Sequence, residues 1–305
     1  LRELLDVYPE KTLVGEIGDS HRAVEIMKSY TRNSRLHMAY SFELLGKEFS
    51  SLFIRSTLEQ FFQEGEESWP CWSFSNHDVT RHVTRWCKDE TESFAKLTCA
   101  LLLSLKGTPC IYQGEELGQT ETELLYEEIT DPPGIRFWPK NKGRDGCRTP
   151  MTWNHKLNNA GFSDVIPWLP VKDKQKSKSV SIQEKEPNSV LNFYKKFIAH
   201  RKLDSALTEG NQMFLSDKNN ILVFLRECKD SKTLCIFNLG PSQHAIKRFF
   251  NYDDNEKNTN RPNSSIRKTL SNSESLFYIY TSGTTGLPKA SNFSHQKFAV
   301  GSGLQ

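Results

Sequence analysis

Trp72-Ser73-Phe74-Ser75-Asn76-His77-Asp78 is a short run of strand-forming residues that stops on Asn-His-Asp. A strand that buries Trp72 and Phe74 and ends on an imidazole and a carboxylate reads as one stave of an α/β barrel, where chemistry sits at the carboxyl ends of the strands. Asp78 is the first candidate functional residue, with His77 beside it. Asn and Asp also favour turns and helix caps, and taken alone the three residues read more readily that way.

A second stretch of the same design lies upstream. Thr12-Leu13-Val14-Gly15-Glu16 is an apolar strand signal that ends on a small residue and a carboxylate. Two strand ends then each present an acid. Glycoside hydrolysis uses such a set: one carboxyl delivers a proton to the leaving oxygen, while others stay ionised to attack or stabilise an oxocarbenium-like sugar.

Four segments extend the pattern: VGEIGD at 14–19, FSNHDVTR at 74–81, GTPCIYQGEELG at 107–118 and GRDGCRTPMTW at 143–153. In this order, over residues from about 1 to about 250, the sequence resembles an α-glucosidase or oligo-1,6-glucosidase of glycoside hydrolase family 13. The resemblance implies an α/β fold comprising strands five to eight of a (β/α)8 TIM barrel over residues 1–170. A small antiparallel, β-sandwich-like domain follows over 171–252. The strands one to four of that family, with its Asp nucleophile, a neighbouring Arg and an upstream substrate-binding His, have no counterpart in the sequence. The half barrel is thus expected to expose long parallel edges, which are a liability for folding and solubility.

Carried over residue by residue, the resemblance makes Glu16 the general acid/base and Asp78 the carboxylate that binds sugar hydroxyls and stabilises the transition state. His77 becomes the substrate-binding partner of Asp78. Arg144 matches an arginine reaching the sugar subsite, and Arg148 is expected to fix the Gly143–Trp153 loop. Guanidinium donors suit both hydroxyl recognition and a carboxylate clamp. The adjacent acids of Gln113-Gly114-Glu115-Glu116 are read as structural. Trp138, Trp153 and Trp168 are candidate sugar platforms, although large aromatics also simply pack. The resemblance implies a carbohydrate partner, an α-glucoside, with no cofactor and no metal for the hydrolase part.

The chain's 305 residues are 36% hydrophobic with a formal charge of +3, so composition points to a globular protein and away from a disordered one. Of its 40 basic and 37 acidic residues, five basic and one acidic fall in 261–305, leaving a near-neutral body that argues against nucleic acid as partner. The opening LRELLDVYPE has neither the basic start nor the apolar core of a secretory signal, and no apolar run is long enough to span a bilayer. It also lacks an initiator Met, which suggests a fragment. Seven cysteines without a CxxC pair fit a reducing, cytoplasmic setting.

Read in order, Leu1, Leu4, Leu5 and Tyr8 have helical spacing that would pack on a barrel's outer face. Strands are expected at Thr12–Glu16, Leu36–Phe42, Cys71–Ser75 and Cys110–Tyr112. Helices are expected at Phe49–Gln63 and Glu92–Leu105. Alternation of this kind favours parallel strands with crossover helices. Tyr126–Trp153 reads as a long loop and Val171–Lys185 as a solvated connection. An amphipathic helix is expected at Val190–Arg201, then two strands at Ile221–Leu225 and Thr233–Asn238.

Asp253–Ser275 is polar enough to act as a linker. It leads to LFYIYTSGTTGLPKA at 276–290. An apolar strand feeding a Ser/Thr/Gly loop and a lysine is a plausible phosphate cradle, because glycines let backbone N–H groups approach an anion. Thr281, Ser282, Gly283, Thr284, Thr285, Gly286 and Lys289 resemble the AMP-binding signature of adenylate-forming enzymes, such as fatty-acyl-CoA synthetases and fatty acid transport proteins. That likeness covers only about 265–305, a short foreign tail (276–305) on a composite chain. ATP and Mg would be cofactors only for a complete adenylation domain.

Overall fold

The computed structural model describes residues 1–19, 21–62, 68–240, 275–281 and 291–294, with side chains up to 240. The chain divides into two units. The first comprises Leu1–Glu48, Gln60–Leu102 and Gly107–Ala199, and the second Phe49–Glu59, Leu103–Lys106 and His200–Gln305.

The first unit carries helix α1 (Arg2–Asp6), strand β1 (Val14–Ile17), α2 (Ala23–Thr31) and β2 (Met38–Ser41). Helix α3 (Ser51–Phe62) begins in the second unit and leads to β3 (Cys71–Ser73), after which come α4 (His82–Trp86), α5 (Glu92–Ser104) and β4 (Thr108–Cys110). Strands β1 and β2 pair in parallel, as do β3 and β4, and a parallel bridge from Ala39 to Pro70 joins the pairs. The four strands therefore run in sequence order with a helix between each, the arrangement expected of consecutive β/α units.

The strands shift slightly from their expected spans, for identifiable reasons. The Leu13 N–H donates to Nδ1 of His37 at 3.1 Å, so the ladder starts at Val14 and Glu16 lies inside β1 rather than at its end. On β4, the Tyr112 N–H donates to Glu115 Oε2 at 2.8 Å and leaves the ladder, which runs over Thr108–Cys110 instead. Gly15 is required where β1 and β2 approach, since a Cβ there would lie 2.5 Å from Cδ1 of Leu36. Met27, Phe61, Trp72, Phe74, Leu97 and Leu101 are among the buried apolar residues, with Phe61 and Trp72 edge to face at 5.7 Å.

Three expectations change. Helix α1 buries none of its residues: Leu1, Leu4, Val7 and Tyr8 remain exposed, and Asp6 bonds to Arg2 and His37. The Tyr126–Trp153 loop contains helix α6 (Pro132–Phe137), which begins with Pro at its first positions. The 171–185 segment is not a solvated connection but forms two helical turns, α7 (Asp173–Lys176) and α8 (Val180–Gln183). Gln175, Ser179 and Gln183 in it are buried: Gln183 Nε2 donates to the Leu117 carbonyl at 2.9 Å, and the half-buried Lys178 donates through Nζ to the Gly118 carbonyl at 2.7 Å. Helix α9 (Val190–Leu203) follows.

The second unit adds α10 (Ser205–Thr208) and strands β5 (Asn211–Ser216), β6 (Ile221–Glu227), β7 (Lys232–Asn238), β8 (Ser275–Thr281) and β9 (Ser291–Ser294). Strand β5 had no sequence expectation. Strands β5, β6 and β7 form an antiparallel meander over buried Leu222, Phe224 and Phe237, and the last two rings stack at 5.8 Å. Within 171–252 the sheet is antiparallel as expected; beyond that span β8 joins β7 in parallel and pairs antiparallel with β9. The expected linker lies outside the described residues up to 274, as do Ser282, Gly283, Thr284, Thr285, Gly286 and Lys289; Thr281 closes β8.

Asp204 ties this unit together locally. It caps α10 by accepting from the Ala206 and Leu207 N–H groups, and also accepts hydroxyls from Ser231 at 3.1 Å and Thr233 at 2.6 Å. Asp204→Ala should lower the unfolding free energy by about 2 kcal/mol, at the upper end of a cap loss, because Thr233 is buried and loses its acceptor. Asp204→Asn, which can still cap, should lose less than half as much in urea unfolding curves.

Candidate active site

The site is assembled within the first unit from β1, β2, the loop after β3, and the loop around Arg144. Glu16 on β1 stands directly opposite Tyr40 on β2 in the parallel register, which places both on one face. The Tyr40 hydroxyl donates to Oε1 of Glu16, and the Asn76 amide reaches the same oxygen at 3.4 Å. Burial and this carboxylate neighbour push the Tyr40 phenol up from its ordinary value, so it serves as a donor.

Asn76 also starts the turn that presents Asp78, its Oδ1 accepting from the Asp78 N–H at 2.9 Å. The Asn-His-Asp segment is therefore both the turn suggested by its composition and a carrier of candidate site residues. Asp78 Oδ1 accepts from Nη1 of Arg144 at 3.0 Å and from Nη2 of Arg148 at 2.8 Å. Arg148 Nε also donates to the His77 carbonyl at 2.7 Å, and His77 Nε2 lies 3.7 Å from Asp78 Oδ1. Sequence residues 16, 77, 78, 144 and 148 are thereby linked through one hydrogen-bonded set.

The two arginines divide their work differently from the sequence expectation. Arg144 is anchored by Asp131, a buried acid that accepts from its backbone N–H, Nε and Nη2 at 2.8, 3.1 and 2.7 Å. That guanidinium holds the Asp131 carboxyl below its usual range. Arg148, expected to fix the loop, is the one whose side chain lines the open groove beside His77. Gly143 makes the anchor possible: its φ is +74° and a Cβ would lie 2.8 Å from Asp131 Oδ2.

Behind the loop, three residues of the VTRHVTR segment hold its shape. Arg81 donates to the carbonyls of Gln113 at 2.7 Å and Cys147 at 3.0 Å, with its guanidinium over the Tyr112 ring. Arg85 donates to the Phe74 and Gly46 carbonyls, and burial pulls its guanidinium down to about 10. His82 is buried with Nδ1 2.9 Å from Glu115 and Nε2 2.8 Å from the Thr98 hydroxyl. Glu115 thus has the structural place expected of it. Glu116 instead lines the groove, its carboxyl pushed up by burial.

The groove has a volume of about 760 Å³. It is lined by the polar residues His77, Gln113, Glu116 and Arg148 and by the apolar residues Met151, Trp153, Phe162 and Trp168, among others. Trp138 is absent from it and packs on the buried cluster of Leu124, Ile129 and Leu169. Among the described residues no group of three His, Cys, Asp or Glu side chains could hold a metal, and no helix is long and apolar enough to cross a membrane.

The family model described as "Alpha amylase, catalytic domain" matches residues 1–210. The chain belongs to the alpha-amylase family. A probable alpha-glucosidase of Rhizobium meliloti is 46% identical over 242 residues, which cover 78% of this chain and 44% of the relative. An oligo-1,6-glucosidase of Heyndrickxia coagulans is 31% identical, over 84% of this chain and 52% of the relative. A crystal structure of an alpha-glucosyl transfer enzyme, XgtA, matches with TM-score 0.75 and 45% identity, covering 79% of this chain and 45% of that one. The chain spans about half the length of the curated relatives it matches. Its four β/α units are accordingly part of the alpha-amylase family's α/β barrel.

Tyr40, Asn76 and Asp131 were not singled out by sequence reasoning. Period-two alternation in parallel register could have found Tyr40, and Asn76 was visible as a turn former, but no local signal marks Asp131. The Asp131–Arg144 pair makes a pH prediction. A carboxyl held below its ordinary 3.8 contributes stability that is fully present above that value and is lost as the pH falls through the lowered one. Between pH 6 and pH 3 the urea midpoint should therefore fall less in Asp131→Asn than in the unaltered protein. An equal fall would show that the pair is not linked to folding.

Proposed function

We propose that this chain is the acid/base-bearing part of an α-glucosidase that cleaves α-linked glucosides, such as maltose, isomaltose or short oligosaccharides, with retention of configuration. The observation that carries the reading is the hydrogen-bonded set in which Asn76 touches Glu16 and orients Asp78, whose Oδ1 accepts from two guanidinium groups. The names of the relatives support the substrate class.

In this reading Glu16 donates its proton to the glycosidic oxygen as the bond to the anomeric carbon breaks. In the second half of the reaction it takes a proton from the incoming water. Tyr40 and Asn76 orient its carboxyl. Asp78 accepts from sugar hydroxyls and opposes the positive charge that develops on the ring, and His77 donates to the same sugar. Arg144 and Arg148 fix Asp78, with Arg148 also facing the ligand. The nucleophile belongs to barrel strands other than the four present here. The hydrolase part uses no cofactor or metal, and the free cysteines fit a cytoplasmic setting.

Assayed alone on maltose and isomaltose, this chain should show little or no turnover. Joined to whatever its full transcript encodes, it should be active, and Glu16→Gln should lower kcat by about 10²–10⁴, the usual worth of a general acid. With glucosyl fluoride, whose leaving group needs no proton, the loss should be much smaller. An equal loss on both substrates would refute the acid role of Glu16.

For the tail we propose a remnant of an AMP-binding loop joined to this glycosidase part, too short to act without a complete adenylation domain. ATP-dependent acyl ligation is the corresponding alternative, and it requires a longer product. A fluorescent ATP analogue titrated into the chain should show no saturable binding, whereas micromolar, Mg-dependent binding would favour the ligase reading.

A further inference from the structure

Of the seven cysteines, Cys71, Cys99, Cys147 and Cys235 are buried, while Cys87, Cys110 and Cys228 are part-exposed. The candidate site uses none of them. Cys110 differs from the other two part-exposed thiols in what stands against it. Cys228 donates to the Ser231 carbonyl at 3.7 Å and Cys87 lies 4.0 Å from the Thr91 hydroxyl, whereas Cys110 is hydrogen-bonded to the thiol of Cys71.

The strand register explains that contact. Cys71 stands opposite Thr108 and Ser73 opposite Cys110 in the parallel ladder, so residues 71, 73, 108 and 110 share one face. Trp72 lies on the other face, where it meets Phe61 of α3. The bridge from Ala39 to Pro70 continues the row and puts Tyr40 beside Cys71 on the thiol face, with Glu16 opposite Tyr40. Cys71 is buried, and its hydrogen bond to Cys110 together with burial pushes its thiol up, so it keeps its proton and acts as donor. That donation pulls the Cys110 thiol down, against burial and the charge of Glu115.

An acidified, part-exposed thiol beside a second thiol is the setting in which peroxides attack sulfur. We infer that Cys110 is a modification site for hydroperoxides, oxidised to a sulfenic acid ahead of the chain's other cysteines. The thiolate attacks one peroxide oxygen, and an S–O bond forms as the O–O bond breaks. The sulfur is oxidised by two electrons, which leave with the second oxygen as hydroxide, and this takes a proton from water. Cys71 and Cys110 stand one strand across and two residues along, so their Cα atoms are about 8 Å apart, beyond the roughly 7 Å limit of a disulfide. The sulfenic acid therefore persists in the folded ladder instead of condensing with Cys71, and its oxygen is added to the face that carries Tyr40 and Glu16. The inference holds whether or not Glu16 is a general acid.

The test treats this chain at neutral pH with hydrogen peroxide and dimedone, which captures sulfenic acids, and follows the adduct on each cysteine by peptide mass spectrometry. Nucleophilicity falls less steeply than thiolate fraction rises, so a tenfold gain in thiolate leaves a net gain of about threefold. Capture at Cys110 should therefore run about threefold or more ahead of capture at Cys87 and Cys228. Cys71→Ala should slow capture at Cys110 by a similar factor, whereas Cys71→Ser, whose hydroxyl still donates, should retain most of the rate. The ranking of thiols in the unaltered chain decides the matter even where a variant fails to fold. Equal capture at Cys87 or Cys228, no adduct at Cys110, or a Cys71–Cys110 disulfide in its place would overturn the inference. An unchanged rate in Cys71→Ala would overturn the part assigned to Cys71.

Discussion

One carboxylate oxygen organises the candidate site. Asp78 Oδ1 accepts from both Arg144 and Arg148, so two guanidinium groups from one loop converge on an acid from another. Such charge-assisted bonds are strong and directional, and they dictate where the Gly143–Trp153 loop may lie. Most of the remaining architecture supports that convergence. Asp131 grips Arg144 with three hydrogen bonds, and Asp145 in turn accepts from the Thr130 and Asp131 N–H groups, at 2.6 and 2.8 Å. The acid that touches the site is thus held at two removes by acids that do not.

The same logic explains the crowded segment after β3. A loop that must present His77 and Asp78 to solvent cannot be held by apolar packing on its open side. It is fixed from behind by Arg81 and Arg85, which donate to the Gln113, Cys147 and Phe74 carbonyls, and by His82, whose ring lies between Glu115 and the Thr98 hydroxyl. Arg85 is buried far enough for desolvation to lower its guanidinium, which shows how much electrostatic work this support demands. His77 and Asp78 can then remain part-exposed without being loose.

The sequence made the barrel units and most site residues legible for different reasons. Strands and helices announced themselves through apolar runs and periodicity, while Glu16, His77 and Asp78 emerged as candidates because four motifs occur together in order. Boundaries were less legible, since they depend on side chains distant in sequence: His37 takes the Leu13 N–H and Glu115 takes that of Tyr112. Composition misled at 171–185, where Gln175, Ser179 and Gln183 look solvated but are buried hydrogen-bonding residues. Asp131 was invisible because its significance lies wholly in its partner, Arg144, thirteen residues away across a loop.

The division of labour between Arg144 and Arg148 carries the last step. Both touch Asp78, yet only Arg144 has its own buried counter-ion, so its position is largely settled before any ligand arrives. Arg148 has no such anchor. Its Nε donates to the His77 carbonyl, and it lines the groove. A guanidinium pinned by a buried acid holds its carboxylate partner in place, whereas one bonded to a carbonyl and the same carboxylate has no buried counter-ion of its own. The GRDGCR spacing thus sets two guanidinium groups on one oxygen, one anchored by a buried acid and the other bordering the groove.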